Sequence, residues 1–183
     1  MAKANLKSVE TTRIDIEKDS RARVAELLNK LLADASDLTM QSKHAHWNVK
    51  GPHFIALHKL FDDIYEGMGE HVDELAERTA ALGAHVKGRL QDAAEATRLK
   101  EFPATTTEGM AVVRALADSL GAFANSVRQG IDEAEELEDM VTSDMLTGIA
   151  GALDKHLWFL EAHLRQVEFA DDRNARRKAG VLR

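Results

Sequence analysis

A chain of 183 residues, 44% hydrophobic and 30% charged, has room for one soluble domain with a sizeable core. It contains no cysteine, which excludes disulfides, thiolate metal sites and cysteine nucleophiles and fits a reducing compartment. The net charge of −7 is uneven: residues 173–183, RNARRKAGVLR, carry five basic side chains and no acid, so an acidic body ends in a basic tail.

Residues 1–19 read as an N-terminal extension. Its opening, MAKANLKSVETTR, lacks the apolar stretch of a signal peptide. No run in the chain approaches the ~20 apolar residues of a membrane helix, so a cytoplasmic protein is expected. From about Ser20, Val24, Leu27, Leu28, Leu31, Ala35 and Leu38 recur at helical spacing and predict a first helix to about Trp47. Gly51 and Pro52 break it. A second helix is predicted from about His53 to Leu82, with Leu57, Phe61, Ile64, Met68, Leu75 and Leu82 along one side and Gly83 closing it.

Residues 84–104 read as a connector, in which DAAEATRLKEF is a candidate short helix. TTTEG then offers a capping box, Thr105 with Glu108 three residues on, ahead of a third long helix marked by Met110, Val113, Leu116, Leu120, Phe123, Val127 and Ile131. The acidic stretch DEAEELED leads to a loop, and a fourth long helix is expected to open near Thr142 or Ser143. No segment reads as a strand. The expected fold is all-α: an antiparallel four-helix bundle with a crossover connection, over residues 20–168, followed by a flexible basic tail over 169–183.

The chemistry concentrates in KHAHWNVKGPHFIALHKLFD, residues 43–62, which holds four of the eight histidines. His58 and Asp62 are four apart and share a helix face. Asp73 and Glu77, in HVDELAERTAALG, are also four apart, and all four fall within an arc of about 100°. They cannot meet inside one subunit, because Asp62 and Asp73 are separated by ~16 Å of helix rise, far beyond a metal–ligand bond. An antiparallel second copy crossing near Gly67 and Gly69 would bring Asp73 and Glu77 beside the partner's His58 and Asp62, making two identical sites across a two-fold axis. His46, just before the turn, would join them. Two imidazoles and three carboxylates suit iron, manganese or zinc more than magnesium or calcium. The plainer alternative for such pairs is a solvated helix face.

With those residues in view, the chain resembles the Dps family of mini-ferritins, the DNA-binding proteins from starved cells. The pattern H-W-N-x-x-G-x-x-F-x-x-x-H-x-x-x-D is met by His46, Trp47, Asn48, Gly51, Phe54, His58 and Asp62, and D-x-x-x-E-R by Asp73, Glu77 and Arg78. LDKHLWFLEAHL in the last helix is also similar. The resemblance implies a ferritin-like bundle with a short extra helix in the connector, a homo-oligomeric shell of twelve subunits, and ferroxidase centres between two-fold-related subunits. His46, His58 and Asp62 would come from one subunit and Asp73 and Glu77 from the other. Fe(II) would be oxidised, with hydrogen peroxide preferred, and ferric mineral stored in the cavity.

The resemblance further implies acidic pores near the last helix start, for which Asp144 is the first candidate and Asp139 the second. Trp47 is a candidate sink for stray oxidising equivalents, against plain packing of the turn. The family often binds DNA through lysine-rich N-terminal tails, but here residues 1–20 are balanced at four basic and four acidic. Arg173, Arg176, Arg177, Lys178 and Arg183 are therefore the candidate DNA-binding residues, which would associate the protein with the nucleoid. A mainly nucleoid-compacting shell is the alternative function. His53 is read as capping or lining the second helix, and His44, His71, His85, His156 and His163 as structural or surface residues.

Overall fold

The computed structural model describes residues 9–180, with side chains through Arg165. Five helices follow one another: α1 (Lys18–Asn48), α2 (Phe54–Ala81), α3 (Leu90–Ala96), α4 (Gly109–Glu136) and α5 (Met140–Gly180). The all-α bundle is as expected. Among the described residues no strand forms, and the only β-type pairings are the isolated bridges Val9–Ala84 and Lys50–Glu108.

Two helical hairpins, α1–α2 and α4–α5, pack against each other through α1 and α4. The apolar stripes meet in one core, where Leu28, Leu31, Leu38, Leu57, Phe61, Ile64, Met68, Leu75, Leu116 and Phe123 are completely or almost completely buried. Each such side chain contributes roughly 1.5–3 kcal/mol by leaving water. The α1–α2 turn is fixed at both ends. Asn48 donates its side-chain amide to the His44 carbonyl at 2.9 Å, and Gly51 supplies a φ of +116°. The Lys50 N–H then donates to the Thr107 carbonyl at 2.8 Å, tying this turn to the start of α4.

The helix ends differ from the sequence expectation in three places, each for a local reason. Glu108 itself caps α4, accepting from the Met110 and Ala111 N–H groups, so Thr105 is not the cap. The helix α5 opens at Met140, because the Asp139 carboxylate takes the Thr142 N–H at 3.0 Å, so Thr142 and Ser143 lie inside its first turn. The short helix α3 ends at Ala96. Wholly buried Asp34 draws in the next residues by accepting from the Arg98 N–H at 2.7 Å and from its guanidinium at 2.5 and 3.0 Å.

The N-terminal extension is pinned to the end of α2. Buried Arg21 donates to the carbonyls of Glu10 (3.0 Å), Leu82 (2.7 Å) and Ile16 (3.2 Å). Gly83 lies beneath with φ +83°, and a Cβ there would come within 2.9 Å of the Glu10 carbonyl oxygen. At the other terminus, α5 continues helically to Gly180, past the expected boundary at 168. The side chains of Arg173, Arg176, Arg177 and Lys178, and all of Arg183, lie outside the described residues.

Candidate metal centre

The turn after Asn48 folds α2 back along α1 and brings His46 and His58 face to face. Their rings stack with centroids 3.7 Å apart and planes 22° from parallel. His46 Nδ1 lies 2.7 Å from the His58 carbonyl oxygen, and His58 Nδ1 lies 2.9 Å from the His46 carbonyl oxygen. A carbonyl only accepts, so both Nδ1 atoms donate. With Nδ1 carrying the donated proton, Nε2 is the atom of each ring that a metal would take. Phe54 leans on His58 with centroids 5.1 Å apart, which further limits that ring's rotation.

Asp62 lies one turn beyond His58, its carboxylate 3.7 Å from His46 Nδ1. It is engaged by Lys43, whose ammonium donates to Asp62 Oδ1 and also sits 4.4 Å from the centre of the Tyr65 ring. The Lys43 hydrogen bond, opposed by partial desolvation and aided by the two imidazoles, holds the Asp62 carboxyl below its ordinary value. A metal ion approaching Asp62 thus meets an ionised carboxylate with a resident cation on it. Sequence reasoning passed over Lys43. The signal for it was its position three residues before His46, which puts both on the same side of α1.

Asp73 and Glu77 do not join this group. Both are exposed on α2, and helix rise puts them roughly 16 and 22 Å beyond Asp62, out of reach of its side chain. Among the described residues no three His, Asp or Glu side chains converge within one chain. Within one chain His46 and His58 pair and Asp62 lies beside His46, without forming a three-residue metal group, and Asp73 and Glu77 stand apart. The glycines at the supposed crossing have different surroundings. Gly67 is used inside the chain, where a Cβ would come 3.2 Å from His156 Nε2, while Gly69 has open space above it.

An exposed apolar margin flanks the centre. Met40 and Trp47, on the Lys43 side of α1, are 47% and 62% exposed, and Ile55 at the start of α2 is 61% exposed. Trp47 therefore does not pack the turn inside this chain.

The acid candidates divide. Asp144 is exposed in the second turn of α5, near exposed Met140 and Val141. Asp139 is buried at 1% exposure and takes both oxygens to the Arg78 guanidinium at 2.7 and 2.9 Å, with the Thr142 hydroxyl at 2.7 Å. Its carboxylate is spent on joining the end of α2 to the α4–α5 corner. Among the other histidines, His44 lies 3.1 Å from the Ala104 carbonyl and ties the connector to α1, and His53 sits at the α2 cap position without a capping bond.

The ferritin-like domain family matches residues 25–170. A "DNA protection during starvation protein" from Agrobacterium fabrum is 39% identical over 155 residues, covering 85% of this chain and 96% of that protein. Dps of Mycobacterium smegmatis superposes with a TM-score of 0.81 at 34% identity, covering 85% of this chain and 93% of that one. Dps of Vibrio cholerae, described as a member of a broad superfamily of ferritin-like diiron-carboxylate proteins, gives a TM-score of 0.79 at 28% identity, covering 84% and 96%.

Proposed function

The chain belongs to the ferritin-like domain family, in its Dps branch, and on that premise we propose that it oxidises Fe(II) at centres shared between two subunits and stores the ferric product. The observation that carries this reading is the split of the five ligands. His46 and His58 are each held through Nδ1, which leaves Nε2 for a metal, Asp62 lies 3.7 Å from His46 Nδ1, and Asp73 and Glu77 stand unspent further along α2. A two-fold partner running antiparallel along α2 completes each half with the other, and the exposed apolar margin at Trp47 and Ile55 supports burial there.

In the completed centre the carboxylates of Asp62, Asp73 and Glu77 draw in Fe(II) and favour the ferric product by neutralising its charge. His46 and His58 fill the remaining directions as neutral ligands. Lys43 must leave Asp62 as iron arrives. Hydrogen peroxide is the proposed oxidant; it takes two electrons, one from each of two Fe(II), so its O–O bond breaks to the level of water without releasing hydroxyl radical. Asp144 is proposed to line the entry path, where exposed carboxylates attract hydrated cations. A closed shell of twelve subunits would then enclose the mineral.

Mixing tests the shared centre. Asp62→Ala lacks one half-set and Glu77→Ala the other, and each is expected to be inactive with Fe(II) and peroxide. Shells reassembled from both should regain part of the wild-type oxidation rate, because each mixed dimer restores one intact centre. Co-assembled shells as inactive as either parent would overturn the reading.

A second activity, DNA binding through the basic segment 173–183, is proposed on the sequence alone: five basic residues without an acid close an otherwise acidic chain.

A further inference from the structure

The seam between α2 and α5 has an imidazole on each side, His71 on α2 and His156 on α5, with His71 more than about 100° round α2 from the His58 and Asp62 face. Asp63, Gly67 and His71 follow one another at four-residue steps along one stripe of α2. His156 of α5 packs on the middle of that stripe, where the missing Cβ of Gly67 leaves its ring room: a Cβ would lie 3.2 Å from His156 Nε2.

Neither histidine behaves like a packing residue. His71 Nδ1 lies 3.0 Å from Glu74 Oε2, and a carboxylate only accepts, so Nδ1 donates and Nε2 keeps the lone pair. A carboxylate behind an imidazole is the usual support of a metal-binding histidine, since it fixes the ring and raises its basicity. His156 Nδ1 is buried with no hydrogen-bond partner. Phenylalanine or leucine would fill the same space against Phe159 without stranding a polar atom. Burial holds the His156 imidazole below its ordinary range, with Lys155 and His71 acting in the same direction and Asp63 against it. The ring is therefore a neutral ligand at neutral pH, with His71 and Asp63 in its electrostatic surroundings.

We propose that His71 and His156 bind a divalent transition-metal ion across the α2–α5 seam, at a site separate from the His46, His58 and Asp62 centre. Two imidazoles select late first-row ions such as Zn(II), Co(II) and Fe(II) over Mg(II) and Ca(II). No three ligating side chains converge among the described residues, so water fills the remaining positions unless Asp63, on the same stripe, turns in. The site stands independently of the ferroxidase reading.

The test uses untagged, assembled protein carrying His46→Ala, His58→Ala, Asp62→Ala and Glu77→Ala, which removes both imidazoles and two carboxylates of the other centre. Equilibrium dialysis with Zn(II), and the visible absorption of added Co(II), report what still binds. About one ion per subunit is expected, lost with His156→Phe and weakened at least tenfold with His71→Gln. Gly67→Ala keeps both ligands but presses on the His156 ring, and should weaken binding without abolishing it. Thermal melts check that each variant is folded, and His71→Gln decides the matter if His156→Phe is not. Absence of Zn(II) binding in that background, or binding unchanged by His71→Gln, overturns the proposal.

Discussion

His46 and His58 hold each other's main chain: the Nδ1–H of each ring is donated to the backbone carbonyl of the other, at 2.7 and 2.9 Å. Each ring is thus aimed by the other residue's main chain, and the two rings also stack with centroids 3.7 Å apart. An alanine substitution removes one ring and its own hydrogen bond, worth about 1 kcal/mol, leaves the carbonyl that holds the other ring, and takes away that ring's stacking partner from a centre both are proposed to serve. His46→Ala and His58→Ala should therefore each lower the Fe(II) oxidation rate almost as far as the double substitution does. Stopped-flow rates for the three variants check this. Losses that simply multiply in the double variant would mean that the rings act independently.

Lys43 and Asp62 form an ion pair that iron has to break. Solvent-screened pairs of this kind are weak, so competition from Lys43 is worth at most about a few-fold in affinity. Lys43→Met keeps the alkyl stem but removes the charge. It is expected to tighten Co(II) binding at the centre by a few-fold in anaerobic titration, with little change in melting temperature. Weaker binding would show that Lys43 positions Asp62 for the metal and does not compete with it.

The helices were legible because they depend on local periodicity, and the candidate ligands stood out by the same spacing. His58, Asp62, Asp73 and Glu77 reveal a shared face by spacing alone, and the turn at Gly51 and Pro52 places His46 near its partner. What spacing could not show were pairings between distant segments. Lys43 reaches Asp62 across nineteen positions, and Asp34 captures Arg98 across sixty-four. Asp139, the second pore candidate by sequence, is instead held by Arg78 from the end of α2. Gly67 suggested an intersubunit crossing, but the contact at that glycine is His156 of the same chain. At α4 the capping-box pattern pointed to Thr105, whereas Glu108 reaches the helix amides directly.

The Asp139 and Arg78 pair makes an acid-dependent contribution to stability. Burial alone would raise the Asp139 carboxyl, but hydrogen bonds from the Thr142 hydroxyl and N–H and from Arg78 outweigh it and hold it below its ordinary 3.8. The folded value being the lower one, this contribution is fully present above pH 3.8 and is lost as pH falls through the folded-state value. Asp139→Asn leaves Arg78 without its counter-charge and should cost about 3 kcal/mol near neutrality. Melting temperatures of the two proteins at pH 7, 5 and 3 test the sign. The gap should hold from pH 7 to 5 and narrow by pH 3, and a constant gap throughout would mean that the carboxylate's charge is not what stabilises the corner.

Binding of DNA rests on the basic segment alone, and the charge balance makes it sharply testable. Residues 173–183 carry five basic side chains and no acid, yet the whole chain is net −7, so the remainder is more acidic still. One such segment binds phosphate weakly and loses affinity steeply with salt. A shell that displays many of them gains from each later contact being intramolecular, while the acidic body repels the duplex. Retardation of duplex DNA is therefore expected at low salt and should fade within a few-fold increase in ionic strength as the attraction is screened. Replacing Arg173, Arg176, Arg177 and Lys178 by glutamine should abolish the shift without altering shell size or Fe(II) oxidation. The substitution keeps the segment in place, so it separates charge from length, and deletion of residues 173–183 should match it. Gel retardation at two salt concentrations decides the case: wild-type shells that never shift DNA, or glutamine-substituted shells that shift it equally, would remove this segment as a DNA-binding element.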